Sequence, residues 1–175
     1  MKTNRFLFPV ALALAATLRL AAFDRSGPRI VVNYFEPTQF TDVADSYPHG
    51  TESGRAATLA ELKRHLVQSA LRYIPLGLKL TITITDVDLA GEFEPWHGPQ
   101  MMDVRVVKDL YPPAIKLAFQ LTDADGNVVR SGQRDLRDLA FMMKITMGSR
   151  DDPLRHEKAL LDDWLGLEFR RRKGD

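Results

Sequence analysis

The six residues Leu80-Thr81-Ile82-Thr83-Ile84-Thr85 alternate strictly between a large aliphatic side chain and threonine. That period of two is the pattern of a β-strand with one covered and one wetter face. A chain that contains it must supply a sheet and a layer to cover one side of that sheet. Continued without interruption, the alternation would turn Asp86 and Asp88 onto the covered face, where unpaired carboxylates are costly. The strand is therefore expected to end, bulge or pair its acids there.

The covering layer is also readable. Between Glu52 and Ile74 the residues Leu59, Leu62, Leu66, Ala70 and Tyr73 recur at helical spacing, with Thr58 and Glu61 as a capping box or Ser53 as the start, and Pro75 and Gly77 as the stop. A terminal helix is expected with Asp152 as N-cap, Pro153 in its first position and Leu154, Leu161, Trp164 and Leu165 on its apolar face. Ile30 to Phe35 reads as a first strand. Ile115, Leu117, Phe119 and Leu121 form another, which turns at Asp123-Ala124-Asp125-Gly126-Asn127 and returns over Val128 to Arg134. Val104, Val106 and Val107 suggest a short edge strand, Leu136, Leu139 and Met143 a short helix, and Pro48-His49-Gly50 a turn. This order predicts an α+β two-layer sandwich: a mainly antiparallel or mixed sheet of about four to five strands with two main helices on one face.

The domain is preceded by a leader. Lys2 and Arg5 stand before an apolar run from Phe6 to Leu18. As a helix that run spans roughly 20 Å, short of the roughly 30 Å hydrocarbon core. Residues 1–22 are expected to be a signal peptide, with Arg19 and Leu20 departing from the usual cleavage pattern, and 23–175 a single domain. The alternative is an inner-membrane anchor formed by uncleaved residues 6–22. Cleavage would remove Lys2, Arg5 and Arg19 and no acid, leaving 21 bases against 23 acids. Neither that balance nor the formal charge of +1 of the whole chain offers a footprint for nucleic acid. The absence of cysteine removes disulfides, thiolate ligands and cysteine nucleophiles.

The densest polar cluster runs from Asp86 to His97: Asp86, Asp88, Glu92, Glu94, Trp96 and His97 at a predicted strand end, joined by Arg105 and Lys108. Crowded carboxylates can serve acid–base chemistry or hold a hard cation. The spacing matches no metal-ligand signature, however, and no metal, cofactor or catalytic residue is assigned. Arg105 and Lys108 read as charges paired with Asp103 and Asp109. Asp123 to Asn127 opens like a calcium loop, but Arg134 stands where its last acidic ligand belongs. His49, His65, His97 and His156 are scattered, no G-x-S-x-G elbow or phosphate-binding glycine loop occurs, and Arg170 to Lys173 is a short basic tail.

Five stretches together resemble a bacterial family known as domain of unknown function 3016, small exported proteins of Gram-negative bacteria. They are Phe40 to Val43, Asp86 to Trp96, Asp103-Val104-Arg105 through Asp109, Tyr111-Pro112-Pro113, and Asp152-Pro153-Leu154-Arg155 through Trp164, and Met101-Met102 is a local departure where an aromatic residue was expected. The resemblance implies export and a single domain, periplasmic or secreted, and carries no catalytic residue. The expected function is a non-enzymatic binding or interaction module of the cell envelope, whose partner is an envelope protein or polar ligand met by Asp86, Asp88, Glu92, Glu94, Trp96, His97, Arg105 and Lys108. One alternative is a carboxylate-dependent hydrolase of an envelope polymer, with Glu92 or Glu94 as acid and Asp86 or Asp88 as base. The other is a structural accessory with an apolar patch on the free sheet face.

Overall fold

The computed structural model describes residues 27–45, 50–144 and 151–170. The expected signal segment, the Pro48-His49 turn and the tail beyond Arg170 lie outside the described residues. The elements are β1 (Ile30–Tyr34), α1 (Glu52–Ala70), β2 (Lys79–Asp88), β3 (Glu92–Phe93), β4 (Arg105–Val106), β5 (Ala114–Thr122), β6 (Val128–Arg137) and α2 (Arg155–Phe169). Four strands form one mixed sheet in the order β1-β2-β5-β6; β1 and β2 are parallel and the other pairs antiparallel. The predicted α+β sandwich with two helices is what the chain adopts. β3 and β4 form a separate two-stranded ribbon, so the valine-rich segment from Asp103 to Asp109 contributes two strand residues outside the main sheet.

The alternation in β2 is resolved by a bulge. Register passes from Ile84–Leu117 directly to Asp86–Lys116, leaving Thr85 unpaired. One extra residue reverses the phase of everything after it. Leu80, Ile82 and Ile84 are buried before the bulge and Val87 and Leu89 after it, while Asp86 and Asp88 turn away from the core.

The helices lie on one face, side by side and parallel: Lys158 of α2 meets Glu61 of α1, and Asp162 meets His65 one turn on. Leu59, Leu62, Leu66 and Ala70 from α1 and Leu161, Trp164 and Leu165 from α2 close over Val32, Leu80, Ile82, Ile84, Leu117 and Phe119. The other face carries Asn33, Thr81, Thr83, Gln120, Ser131 and Gln133, following the strand registers.

The helix starts differ from expectation. α1 begins at neither Thr58 nor Ser53: Thr51 is the N-cap, its Oγ1 accepting the Gly54 N–H at 2.9 Å. Asp45 Oδ1 and Oδ2 accept from the Thr51 N–H and hydroxyl at 2.6 and 2.9 Å, which fixes that cap from outside the helix. α2 starts at Arg155, because Asp152 Oδ1 takes the Leu154 N–H and draws Pro153 and Leu154 into a preceding turn. The predicted short helix after β6 is a 3-10 turn, Phe141–Met143, that buries Phe141; Leu136 belongs to β6, while Leu139 and Met143 face solvent. Among the described residues no helix is long and apolar enough to cross a membrane.

Candidate functional site

β2 delivers the acidic segment to one end of the sheet, where the chain turns through Gly91 into β3. Gly91 has φ +84°, and a Cβ there would meet the Val106 carbonyl oxygen at 2.8 Å, so glycine is required for β3 to reach β4. β4 presents Arg105, which is engaged on every side. Its Nη1 and Nη2 donate to Asp42 Oδ2 and Oδ1 at 2.6 and 3.1 Å, to the Gly91 carbonyl at 2.9 Å and to the Ala44 carbonyl at 2.9 Å. Its guanidinium lies 4.5 Å from the Phe93 ring centroid. The pairing expected with Asp103 is replaced by a bidentate fork to Asp42, which clamps the loop after β1 to the ribbon.

Glu94 is the centre of a second cluster. Its side chain is only 3% exposed. Lys108 Nζ donates to both carboxylate oxygens at 2.7 Å, the Tyr111 hydroxyl donates at 3.1 Å, and His97 Nε2 stands 3.0 Å from Oε2. The Lys108 ammonium, with help from Tyr111 and His97, outweighs burial and holds the Glu94 carboxyl below the usual range. Lys108 therefore pairs with Glu94 rather than Asp109. Pro95 opens a 3-10 turn over Pro95–His97, and from this turn Trp96 projects into solvent with 68% of its surface exposed. Met101, Met102 and Val104, from the next turn, are exposed too.

The remaining acids part company. Asp86 Oδ1 and Oδ2 accept from the Thr41 N–H and hydroxyl at 2.8 and 3.0 Å, and Lys116 Nζ is 3.0 Å away. Burial raises the Asp86 pKa, but these donors prevail and lower it. Asp88 moves the other way, raised by burial and by the neighbouring Asp42 charge. Glu92 is exposed and caps the Phe93 N–H with its own carboxylate. The eight residues thus share one end of the molecule but form separate clusters, with most of their charge met internally.

Their partners, Thr41, Asp42, Tyr111 and Lys116, are not among the eight candidate site residues, because the contacts join residues up to 63 positions apart. Glu157 was also missed. It is fully buried, its Oε1 accepts the Ala90 N–H at 2.6 Å, its Oε2 has no partner, and burial raises its pKa. It ties the first turn of α2 to the end of β2. Nearby, a cavity of about 400 Å³ is lined by Ala57, Leu89, Ala90, Phe93, Arg105 and Leu154 among others; Arg105 is the one predicted site residue on its wall. Among the described residues no group of histidines and acids could hold a metal ion.

Residues 28–167 match the family described as protein of unknown function (DUF3016). No curated protein matches the chain. Among solved structures, a PelC dodecamer from Paraburkholderia phytofirmans is similar over 86% of this chain and 92% of that one, at 15% identity and a TM-score of 0.34. That likeness is too low to bear on function. Several stretches behind the sequence resemblance meet in space: Thr41 with Asp86, Asp42 with Arg105, Glu94 with Lys108 and Tyr111, and Glu157 with Ala90.

Proposed function

Since the chain belongs to the family of proteins of unknown function DUF3016, whose name assigns no activity, we propose a role from geometry: a non-catalytic interaction module of the cell envelope that binds a partner protein around Trp96. Export rests on the leader read from the sequence. The observation that carries the binding role is a large indole, mostly exposed, standing on a turn whose base is fixed by the Glu94–Lys108–Tyr111–His97 cluster. Tryptophan and methionine are enriched at the centres of protein interfaces, and a rim of charges sets orientation. Here Trp96 with Met101 and Met102 supplies the apolar area, while His97, Lys108 and Glu92 supply the rim.

The hydrolase alternative lacks such support. A general acid needs a proton held at working pH, whereas Glu94, the buried candidate for that role, is held toward the ionised form. Asp88, a candidate base whose pKa is raised, does not line the cavity beside Arg105. The accessory alternative called for an apolar patch on the free sheet face, and the threonines, glutamines and serine there do not provide one.

The test is site-specific photo-crosslinking in intact cells, with the reactive group at Met102 or, as control, at Gln120 on the free sheet face. An adduct from position 102 that is absent from position 120 and lost in Trp96→Ala supports the module. Identical adducts with and without Trp96, or no adduct at position 102, overturn it. Trp96→Ala should leave stability within about 0.5 kcal/mol of the parent, since the side chain is exposed, so loss of the adduct will not reflect unfolding.

A further inference from the structure

The surface around Trp96 carries a charge imbalance that the molecule does not settle internally. Its cations are spent: Lys108 and His97 on Glu94, Arg105 on Asp42, and Lys116 on Asp86. Arg137, at the end of β6, acts on Asp88. Glu92, Asp103 and Asp109 are exposed, and among the described residues none of the three has an ion pair.

Three carboxylates alone would be solvated charges. These three border apolar surface. Asp103 stands between the exposed Met102 and Val104, in a stretch closed by the Val104 N–H on the Met101 carbonyl at 3.1 Å. Asp109 and Leu110 form the tip of a turn closed by the Tyr111 N–H on the Lys108 carbonyl at 3.0 Å. Both residues that flank this tip, Lys108 and Tyr111, reach Glu94, two positions before Trp96, so Leu110, 73% exposed, belongs to the same surface. Glu92 is close enough for its charge to act on Tyr111 and Asp88.

β3 and β4 pair over two residues each. Such a ribbon has no edge long enough to template an added strand, so recognition here falls to side chains. Methionines beside a tryptophan adapt to the apolar anchors of a helix.

We propose that this surface receives a basic amphipathic helix of the partner protein. Its apolar anchors lie on Trp96, Met101, Met102 and Leu110, and its lysines or arginines meet Glu92, Asp103 and Asp109. The proposal rests on the interface reading above and adds the shape and sign of charge of the partner. An acidic segment is rejected, because it would bring like charges together at the rim.

The test is titration of the full chain with a synthetic helix of about four turns, with leucine on one face and lysine on the other, and with the same helix carrying glutamate for lysine. At low salt the lysine helix should bind about tenfold more tightly than the glutamate helix, an advantage that shrinks at high salt. Asp103→Asn/Asp109→Asn should weaken the lysine helix about tenfold with unchanged thermal melting, whereas Asp125→Asn, on the tip of the β5–β6 hairpin, should leave it as in the parent. Equal binding of the two helices, or binding indifferent to the changes at positions 103 and 109, overturns the proposal. The crosslink from position 102 separates this failure from that of the interface reading. An adduct that needs Trp96 yet persists in Asp103→Asn/Asp109→Asn retains the interface and overturns the basic helix; the absence of any Trp96-dependent adduct overturns both. Self-association of the full chain that the asparagine changes disperse would assign the acids to the Arg170 to Lys173 tail of a second copy, and also overturns the proposal.

Discussion

Gly54 shows how one missing methyl group organises the start of a helix. An added Cβ would stand 1.8 Å from Asp45 Oδ2 and 2.1 Å from its Cγ. Glycine inside a helix normally costs about 1 kcal/mol relative to alanine, so Gly54→Ala would ordinarily stabilise. Here it must displace a carboxylate that holds Thr51 through two hydrogen bonds, each worth about 1 kcal/mol or more. We expect Gly54→Ala to lower stability by about 1–2 kcal/mol in urea denaturation, and to become neutral or stabilising once Asp45→Ala is present. Equal effects in both backgrounds would show that Asp45 does not set the need for glycine. Position 54 also marks a limit of sequence reading. The stripe of leucines in α1 was plain, but the cap was not, because Asp45 acts from outside the helix and Ser53, Thr58 and Glu61 looked equally suitable.

At the scale of elements, the bulge in β2 makes a paired prediction. Deleting Thr85 would join Ile84 to Asp86 and restore an unbroken alternation with Val87 and Leu89 still facing the core. Deleting Thr83 would instead set Ile82 directly before Ile84, forcing one part of the strand to the wrong face. The first variant should fold with a loss of about 1–2 kcal/mol, while the second should lose about 4 kcal/mol or more, the burial of two aliphatic side chains. Circular dichroism and urea midpoints distinguish them, and similar losses would mean that the bulge carries no register information. The alternation rule located the problem at Asp86 but could not choose among ending, bulging and pairing, because that choice depends on Lys116 and Thr41, which come from other elements. Likewise, the turn residues Asp123 to Asn127 marked the β5–β6 hairpin, whereas nothing local revealed that Arg105 reaches back to Asp42. The candidate cluster was legible as a region; its division into Glu94 and Arg105 centres was not.

Across the whole molecule, ionisable groups set the response to acid. Glu61, between Arg64 and Lys158, has its pKa lowered from 4.5 to about 2. Its hydrogen bonds to these two cations outweigh the opposing effect of burial. A lowered carboxyl pKa means that the unfolded chain binds the proton first, so the stabilisation is present above the ordinary value of 4.5 and is lost as pH falls through about 2. Glu157 has the opposite sign: raised by burial, it lowers stability as pH rises above the unfolded carboxyl range. Urea midpoints followed from neutral to acid pH should fall on the acid side, with a shallower fall in Glu61→Gln. Glu157→Gln should gain most relative to the parent at neutral pH. Parallel curves for all three proteins would remove these two residues from the account.

The parallel course of α1 and α2 fixes more than a core. With 19 and 15 residues respectively, they extend roughly 25 Å from one pole to the other. The turn that carries Trp96 follows the end of β2, which Glu157 ties to the start of α2, so that length of packed helix separates the indole from the pole where both helices finish.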